Sequence, residues 1–286
     1  MIVPETEHSI VNRHGDVLYS TVTTPLQSAD GGLPLLLLLH GFKGFRNYSF
    51  IPWLSQFAAH AGAIAVRMCF SLNGMKNTSW LVQATDDFAR NTISRECDDV
   101  ADLVDALCHH EEFANLRRVW NGKISVLGHS RGGGIAMIAS SELLKTHQEQ
   151  LHHVAVWNSV GTWTRWTPRQ AATWKGAGTF EMQNQRTLQT LNMHSTYLVD
   201  IEENAPRLDL VTASSALSGK LRYVHAQHDL TVPLREIELL AQASRTEDSI
   251  TIIGNTTHTF GMEHPVSRIT RGFADAIEAT FPWVVR

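Results

Sequence analysis

The sequence predicts an α/β fold with a mostly parallel central sheet and helices on both faces of that sheet. Two observations carry the prediction: short aliphatic runs alternate with segments of helical periodicity, and most of these runs end at a glycine or a polar residue. Strands of a parallel sheet that is covered on both faces are typically continuous apolar runs. The 286 residues, of which 43% are hydrophobic, are enough to bury the core of such a sheet.

The predicted elements follow one another along the chain. A polar turn at His14-Gly15-Asp16 joins two strands, at residues 9–13 and 17–23, in a β-hairpin. The leucine run at 35–39 is a buried strand, and further aliphatic runs predict strands at 63–69, 124–127, 154–157, 221–225 and 250–253. Apolar residues at helical spacing predict helices around 54–61, 97–107, 135–144, 234–241 and 266–281. The polar, irregular stretch at 71–95 predicts a long loop.

The alternation of strands and helices stops between residues 161 and 212, which are rich in Trp, Thr, Gln and Asn. We therefore predict one domain over residues 1–286 with an insertion at about 161–212 that forms a small helical cap. Five aromatic residues lie in or beside this segment and predict a small apolar core under the cap: Trp157, Trp163, Trp166, Trp174 and Phe180. Trp163 is the candidate to line a substrate pocket, since such pockets are mostly apolar and aromatic.

Composition excludes several classes of function. A net charge of −4 provides no electrostatic basis for binding nucleic acid or an anionic membrane. The N-terminal residues do not have the pattern of a secretory signal, and no apolar run is long enough to span a bilayer. Cys69, Cys97 and Cys108 have neither metal-ligand spacing nor an even number, so we expect reduced core thiols in a cytoplasmic protein. We expect no metal and no cofactor, and nothing in the sequence indicates the oligomeric state.

Chemically reactive side chains follow three of the predicted strands. Ser130 lies in the segment GHSRG at 128–132, Asp229 follows a later strand, and His258 follows the last one. Because ligands bind at the carboxyl ends of parallel strands, we expect these side chains to converge at one edge of the sheet. A serine, a histidine and a carboxylate can then act as nucleophile, general base and orienting group.

The surroundings of Ser130 favour the stabilisation of a developing negative charge. Glycines two positions on either side allow a tight turn from strand to helix. A helix that begins near Arg131 points free N–H groups toward the serine. The backbone N–H groups of Arg131 and Phe42 are therefore the predicted oxyanion hole. We expect the Arg131 guanidinium in an ion pair, with a substrate carboxylate as the alternative, and we expect Lys43 and Arg46 in solvent.

Each assignment has a structural alternative. Ser130 could be an ordinary turn residue, and Asp229 could cap the helix that follows it. His258 is one of 15 histidines, but it alone follows the last strand at the expected position. His129 could either pack against its neighbours or line the substrate pocket, and the sequence does not decide between the two. His40 is expected to make structural hydrogen bonds rather than to act as a base.

Four fragments of the chain resemble the bacterial α/β-hydrolases that are related to dienelactone hydrolases and prolyl-oligopeptidase-type domains. They are HGFKGF at 40–45, GHSRGG at 128–133, HAQHDLTVP at 225–233 and HTFGMEHP at 258–265. The resemblance extends over about 35–270 and is weakest in 161–212. It implies the α/β-hydrolase fold and catalytic roles for Ser130, Asp229 and His258. The nucleophile is a serine where dienelactone hydrolases have a cysteine, which argues against dienelactone as the substrate.

These expectations lead to a functional hypothesis. The chain order serine, acid, histidine is that of the α/β-hydrolases. We expect a serine hydrolase, a carboxylesterase that cleaves small to medium acyl esters through an acyl-enzyme intermediate. The alternatives are a peptidase or an acyltransferase with the same three residues, and a ligand-binding protein on a hydrolase scaffold.

Overall fold

The structure is a computed structural model that describes residues 2–26, 30–75 and 81–285. Its strands are β1 (Glu5–Val11), β2 (Val17–Thr23), β3 (Leu33–Leu39), β4 (Ile64–Met68), β5 (Trp120–His129), β6 (Leu151–Trp157), β7 (Thr179–Gln183), β8 (Thr190–His194), β9 (Leu221–Ala226) and β10 (Ile250–Ile253). Its helices are α1 (Ile51–His60), α2 (Thr85–Ala89), α3 (Ile93–His109), α4 (Ala114–Arg117), α5 (Arg131–Thr146), α6 (Pro168–Ala177), α7 (Thr196–Glu203), α8 (Leu210–Ala216), α9 (Leu234–Ser244) and α10 (Arg271–Val284).

Eight strands form one sheet in the order β1-β2-β4-β3-β5-β6-β9-β10. The six strands from β4 to β10 in this order are parallel to their neighbours, whereas the β1–β2 hairpin joins the edge of the sheet antiparallel to β4. The predicted α/β class and its mostly parallel sheet are thus confirmed. The connections between parallel strands place the ends of β3, β5, β9 and β10 at one edge of the sheet.

The leucine run in β3 shows why the parallel strands are continuous apolar runs. Leu35, Leu37 and Leu39 pack in a core that includes residues of α3, α5, α8 and α9. Leu36 and Leu38 pack in a second core, on the opposite face, with residues of α1 and α10. All five side chains are almost completely buried because successive residues of a strand point to opposite faces of the sheet.

The segment between β6 and β9 contains α6, α7, α8 and an unpredicted antiparallel pair, β7 and β8. Both strands are short and partly exposed, with Phe180 and Leu191 on the covered side, so they lack the aliphatic runs of the main sheet. Trp174 is buried beneath them, and its indole N–H donates to the Met193 carbonyl oxygen at 3.0 Å. Trp163, Trp166, Trp174 and Phe180 pack in one core, as predicted, whereas Trp157 lies in the core on the opposite face of the sheet, against Phe50 and Phe273.

Several predicted boundaries are wrong. The first strand covers Glu5–Val11 rather than 9–13, and Arg13 lies in the turn. The stretch 71–95 contains α2 and the beginning of α3 rather than one long loop, although residues 76–80 lie outside the description. The last helix begins at Arg271, not at 266, because Thr270 caps it by accepting the Phe273 N–H at 3.2 Å. Val266 and Ile269, the apolar residues just before the cap, have helical spacing but lie outside any helix or strand.

The prediction that Arg46 lies in solvent is also wrong. Its side chain is 2% exposed, and Nη2 lies 2.6 Å from Oε2 of Glu7. Its Nε donates to Thr21 Oγ1 at 2.9 Å. The ion pair offsets the cost of burial and connects the loop after β3 to the β1–β2 hairpin. Among the residues that the structure describes, no helix has the length and apolar character required to cross a membrane.

Candidate active site

Ser130 occupies the turn between β5 and α5. Its backbone has φ +58° and ψ −123°, a conformation that residues other than glycine rarely adopt. Its N–H donates to the Trp157 carbonyl oxygen at 2.9 Å, and its carbonyl accepts the Gly133 N–H at 2.9 Å. The surrounding hydrogen bonds therefore hold the serine in a strained turn at the end of β5.

The glycines around Ser130 are required by close backbone approach. A Cβ atom on Gly128 would lie 2.1 Å from the Gly132 carbonyl oxygen, and one on Gly132 would lie 2.4 Å from the His40 carbonyl oxygen. A Cβ atom on Gly41 would lie 3.0 Å from Ser130 Cβ, so the loop after β3 packs directly against the serine. The spacing of glycines in the sequence reflects this crowding of three chain segments.

The structure brings the predicted serine, histidine and aspartate side chains together. His258 Nε2 lies 3.0 Å from Ser130 Oγ, and His258 Nδ1 lies 2.7 Å from Asp229 Oδ2. The other carboxylate oxygen of Asp229 accepts the N–H groups of Thr231 at 2.8 Å and Val232 at 2.9 Å. Asp229 therefore does not cap α9, and both of its oxygens are engaged in the turn that faces the histidine.

The charge state of Asp229 suits its contact with His258. Burial by itself raises the pKa of the carboxyl group, but hydrogen bonds and the charge interaction with His258, together with the N–H groups of Val232 and Thr231, lower it overall. Asp229 is therefore a carboxylate, which accepts the Nδ1–H of the imidazole. This tautomer leaves the Nε2 lone pair facing the hydroxyl of Ser130.

Two further side chains hold the backbone of His258. Its carbonyl oxygen accepts Nε2–H of His129 at 2.8 Å and the side-chain amide of Asn158 at 2.7 Å. The Asn158 oxygen in turn accepts the Ala226 N–H at 2.7 Å. Asn158 is absent from the residues predicted for the site, although its position directly after the strand at 154–157 is a signal that could have indicated it.

His129 lies behind His258 rather than free in the cavity. Its ring is 4.7 Å from that of His258 and meets the Phe50 ring edge-on at 5.1 Å. Burial, followed by repulsion from His258, lowers the pKa of His129 to about 3. The neutral ring donates its Nε2–H to the His258 carbonyl oxygen, and His129 also borders a cavity beside Ser130.

Phe42 and Arg131, the residues predicted to supply the oxyanion hole, both lie next to chain segments that contact the serine. Arg131 is the first residue of α5, where N–H groups have no acceptor within the helix and the helix dipole is positive. Phe42 follows Gly41, which packs against Ser130. Neither N–H donates to an acceptor within 2–26, 30–75 and 81–285. Both N–H groups are therefore without a protein acceptor in the part of the chain that the structure describes.

The Arg131 side chain forms an ion pair with the buried Glu96. Its guanidinium also lies over the Phe42 ring, 4.3 Å from the ring centre. Burial raises the pKa of Glu96, and Arg131 opposes that effect. The guanidinium is therefore committed to a protein carboxylate, which is the expected arrangement.

Two cavities meet at Ser130. The smaller has a volume of about 190 Å³ and an apolar, aromatic wall formed by Phe42, Val160, Trp163, Trp166, Met193 and Tyr197. Trp163 is fixed in this wall, since its indole N–H donates to the Leu208 carbonyl oxygen at 2.7 Å. The larger cavity has a volume of about 490 Å³, and its wall includes the polar side chains of Lys43, Tyr48, Asn184, Arg186, His258 and Thr259.

Lys43 departs from its prediction as a solvent-exposed side chain. It is partly buried in the wall of the larger cavity, and its Nζ lies 5.6 Å from the centre of the Phe42 ring. His40 is buried and makes structural contacts: its Nε2 accepts the Phe70 N–H at 3.3 Å. In the described part of the chain, no group of three or more His, Cys, Asp or Glu side chains is arranged to hold a metal ion.

No protein-family model matches the sequence, and no curated protein is significantly similar to it. A crystal structure from Agrobacterium vitis S4 has a TM-score of 0.71 at 16% identity, with 98% of this chain and 99% of that one covered. Est1E from Butyrivibrio proteoclasticus has a TM-score of 0.63 at 13% identity, covering 96% and 95%.

A dienelactone hydrolase from Anabaena variabilis ATCC 29413 has a TM-score of 0.57 at 16% identity, with 99% of each chain covered. These structures span nearly the whole of both chains in each comparison, so the similarity concerns the complete architecture and not one motif. At identities of 13% to 16% it establishes the fold alone. The chain therefore has the α/β-hydrolase fold.

Proposed function

We propose that the protein is a serine hydrolase that cleaves carboxylic esters. The observation that carries the proposal is the continuous contact from Asp229 through His258 to Ser130, at 2.7 Å and 3.0 Å. The two free N–H groups beside the strained serine support it further. Esterases and dienelactone hydrolases among the crystal structures that share this fold favour an ester over other acyl substrates.

In the proposed reaction, His258 takes the proton of Ser130 while Oγ attacks the carbonyl carbon of the ester. The tetrahedral oxyanion accepts the N–H groups of Phe42 and Arg131. His258 then gives the proton to the leaving alcohol oxygen, and the C–O bond to the alcohol breaks. Water, deprotonated by His258, then attacks the acyl carbon; the bond from that carbon to Ser130 Oγ breaks, His258 returns the proton to Oγ, and the acid is released. Asp229 keeps the imidazole oriented and stabilises its positive charge. No step requires a metal or a cofactor.

The residues that line the two cavities support a binding place for each half of the ester. His258 is part of the wall of the larger cavity and not of the smaller one, whereas Ser130 borders both. Since the proton from His258 goes to the leaving oxygen, the alcohol half belongs in the larger cavity. The acyl half then occupies the aromatic cavity of about 190 Å³.

This size supports a preference for small to medium acyl groups. Trp163, Trp166 and Tyr197 come from the predicted cap segment and limit how far an acyl chain can extend. A second structure of Est1E holds ferulic acid, an aromatic acid. Methyl ferulate is therefore a useful test substrate beside simple acyl esters, because the wall of this cavity is also aromatic.

Labelling with a fluorophosphonate and a series of p-nitrophenyl esters of increasing chain length test the proposal. We expect the wild-type protein to be labelled at Ser130 and to hydrolyse short esters faster than long ones. Ser130→Ala should lose both labelling and turnover, whereas Ser141→Ala, a matched change farther along α5, should retain both. Hydrolysis that persists in Ser130→Ala would contradict the proposal. Added alcohol or amine acceptors distinguish hydrolysis from acyl transfer.

A further inference from the structure

Two cationic side chains lie in the wall of the larger cavity. Lys43 belongs to the loop after β3, and Arg186 belongs to the turn between β7 and β8. None of the described residues that line this cavity is an aspartate or a glutamate. The cavity beside His258 therefore has two positive charges in its wall and no negative one.

Neither cation has a carboxylate partner within the part of the chain that the structure describes. The two arginines that are almost completely buried are paired: Arg46 with Glu7 and Arg67 with Glu5, both at 2.6 Å. Pairing is the general rule, since an isolated charge loses hydration when it is buried. Lys43 and Arg186, which are partly buried in the cavity wall, lack such a partner among the described residues. Unpaired cations in a cavity wall are what a binding site for an anionic ligand would contain.

The remaining contacts of Arg186 orient its guanidinium without neutralising it. Nη2 donates to the Lys43 carbonyl oxygen at 2.8 Å, and the guanidinium carbon lies 4.5 Å from the centre of the Tyr48 ring. Nε is buried without a hydrogen-bond acceptor among the described residues. Burial, and then repulsion from Arg186, lower the pKa of Lys43. An anion bound near both side chains would relieve this repulsion.

We propose that Lys43 and Arg186 recognise a carboxylate or phosphate group on the alcohol half of the ester substrate. The inference rests on the proposed ester hydrolysis and adds the chemical class of the alcohol that is released. The anion belongs to the alcohol because the two cations share their cavity with His258, which protonates the leaving oxygen. The two arginines beside the smaller cavity are already paired, Arg131 with Glu96 and Arg165 with Glu236.

A matched pair of acetate esters tests this inference. The leaving group of para-acetoxybenzoate is anionic, and that of its methyl ester is neutral. We expect wild-type kcat/KM to favour the anionic ester by about tenfold, the effect of one hydrogen bond to a charged group. Lys43→Met and Arg186→Met should each remove most of this preference. Because each ratio is measured within one variant, a general loss of activity cancels. An arm with para-acetoxyphenyl phosphate distinguishes carboxylate from phosphate recognition.

Lys145→Met is the matched control, since it removes the same charge from an exposed position in the last turn of α5. Its preference for the anionic ester should equal that of the wild type. A wild-type protein without the preference, or a preference that survives both Lys43→Met and Arg186→Met, would overturn the inference.

Calorimetry on Ser130→Ala separates this inference from the proposed function. We expect that variant to bind para-hydroxybenzoate about tenfold more tightly than its methyl ester, and to lose the difference when Lys43→Met is added. If the protein binds the anion selectively but hydrolyses no ester, the proposed anion site is supported and the proposed esterase activity is contradicted. Turnover of the neutral ester with no anion selectivity in either assay would reject the anion site alone.

Discussion

The side-chain amide of Asn158 donates to the carbonyl oxygen of His258 at 2.7 Å, while its oxygen accepts the N–H of Ala226 at 2.7 Å. One buried side chain thus connects the end of β6, the end of β9 and the loop that contains the imidazole. Because His258 must hold its ring between Ser130 and Asp229, the position of this loop controls the contact on which the proposed chemistry depends.

Replacing Asn158 should therefore affect the rate more than substrate binding. We expect Asn158→Ala to lower kcat by about tenfold to a hundredfold, since a displacement of about 1 Å at a reacting group has effects of that size. KM for a p-nitrophenyl ester should change much less, because Asn158 borders neither cavity. Asn115→Ala, at an exposed position on α4, is the control. An unchanged kcat in Asn158→Ala would show that the loop is held by other contacts.

Two buried histidines predict acid sensitivity of the fold. Burial is the main cause that lowers the pKa of His129 to about 3 and of His40 to about 4, compared with 6.5 in the unfolded chain. Between these values the unfolded chain binds more protons, so the free energy of unfolding should fall as pH decreases from 6.5 toward 4. The slope should approach about 1.4 kcal/mol per pH unit for each histidine. Urea unfolding at a series of pH values measures it.

His129→Gln is the informative variant for this pH dependence. Glutamine can still donate to the His258 carbonyl but does not titrate, so the variant should lose the contribution of one histidine to the slope. His60→Gln provides a comparison at an exposed position in the last turn of α1. Equal slopes in the wild type and His129→Gln would mean that His129 is not held neutral in the folded state.

Two glycine substitutions should have opposite effects on stability. Gly132→Ala would place a Cβ atom 2.4 Å from the His40 carbonyl oxygen, and we expect loss of the folded turn and of activity. Gly176→Ala, inside α6, meets no atom within 4 Å and should stabilise the protein by about 0.5–1 kcal/mol. Thermal unfolding compares the two variants. A stable and active Gly132→Ala protein would contradict the close packing of α5 against the loop after β3.

Trp166 should determine the length of the acyl group. It lines the smaller cavity, so Trp166→Ala should extend the space available to the acyl chain. We expect the ratio of kcat/KM for octanoate over butyrate esters to rise by about tenfold, a typical effect of pocket size on specificity. Trp53→Ala, at a side chain that is 44% exposed, should leave the ratio unchanged. A constant ratio in Trp166→Ala would place the acyl group elsewhere.

The sequence by itself determined the architecture and the position of the candidate site. The leucines of β3 are contiguous because the strand is covered on both faces, and the glycines around Ser130 recur because backbone atoms of three segments meet there. Burial of a strand on both faces and close approach of backbone atoms at a turn each constrain neighbouring residues. Both therefore leave a pattern in the local sequence. Ser130, Asp229 and His258 follow the ends of β5, β9 and β10, where the carboxyl ends of parallel strands form a ligand site.

Only the tertiary structure decided which side chains surround that site. Lys43 and Arg186 are separated by 143 residues, and their shared cavity depends on how the turn between β7 and β8 packs against the loop after β3. The support of His258 by Asn158 likewise joins residues from different loops. No local periodicity encodes such pairs, because the free energy that holds them comes from contacts that form only after the sheet and the segment over it have packed together.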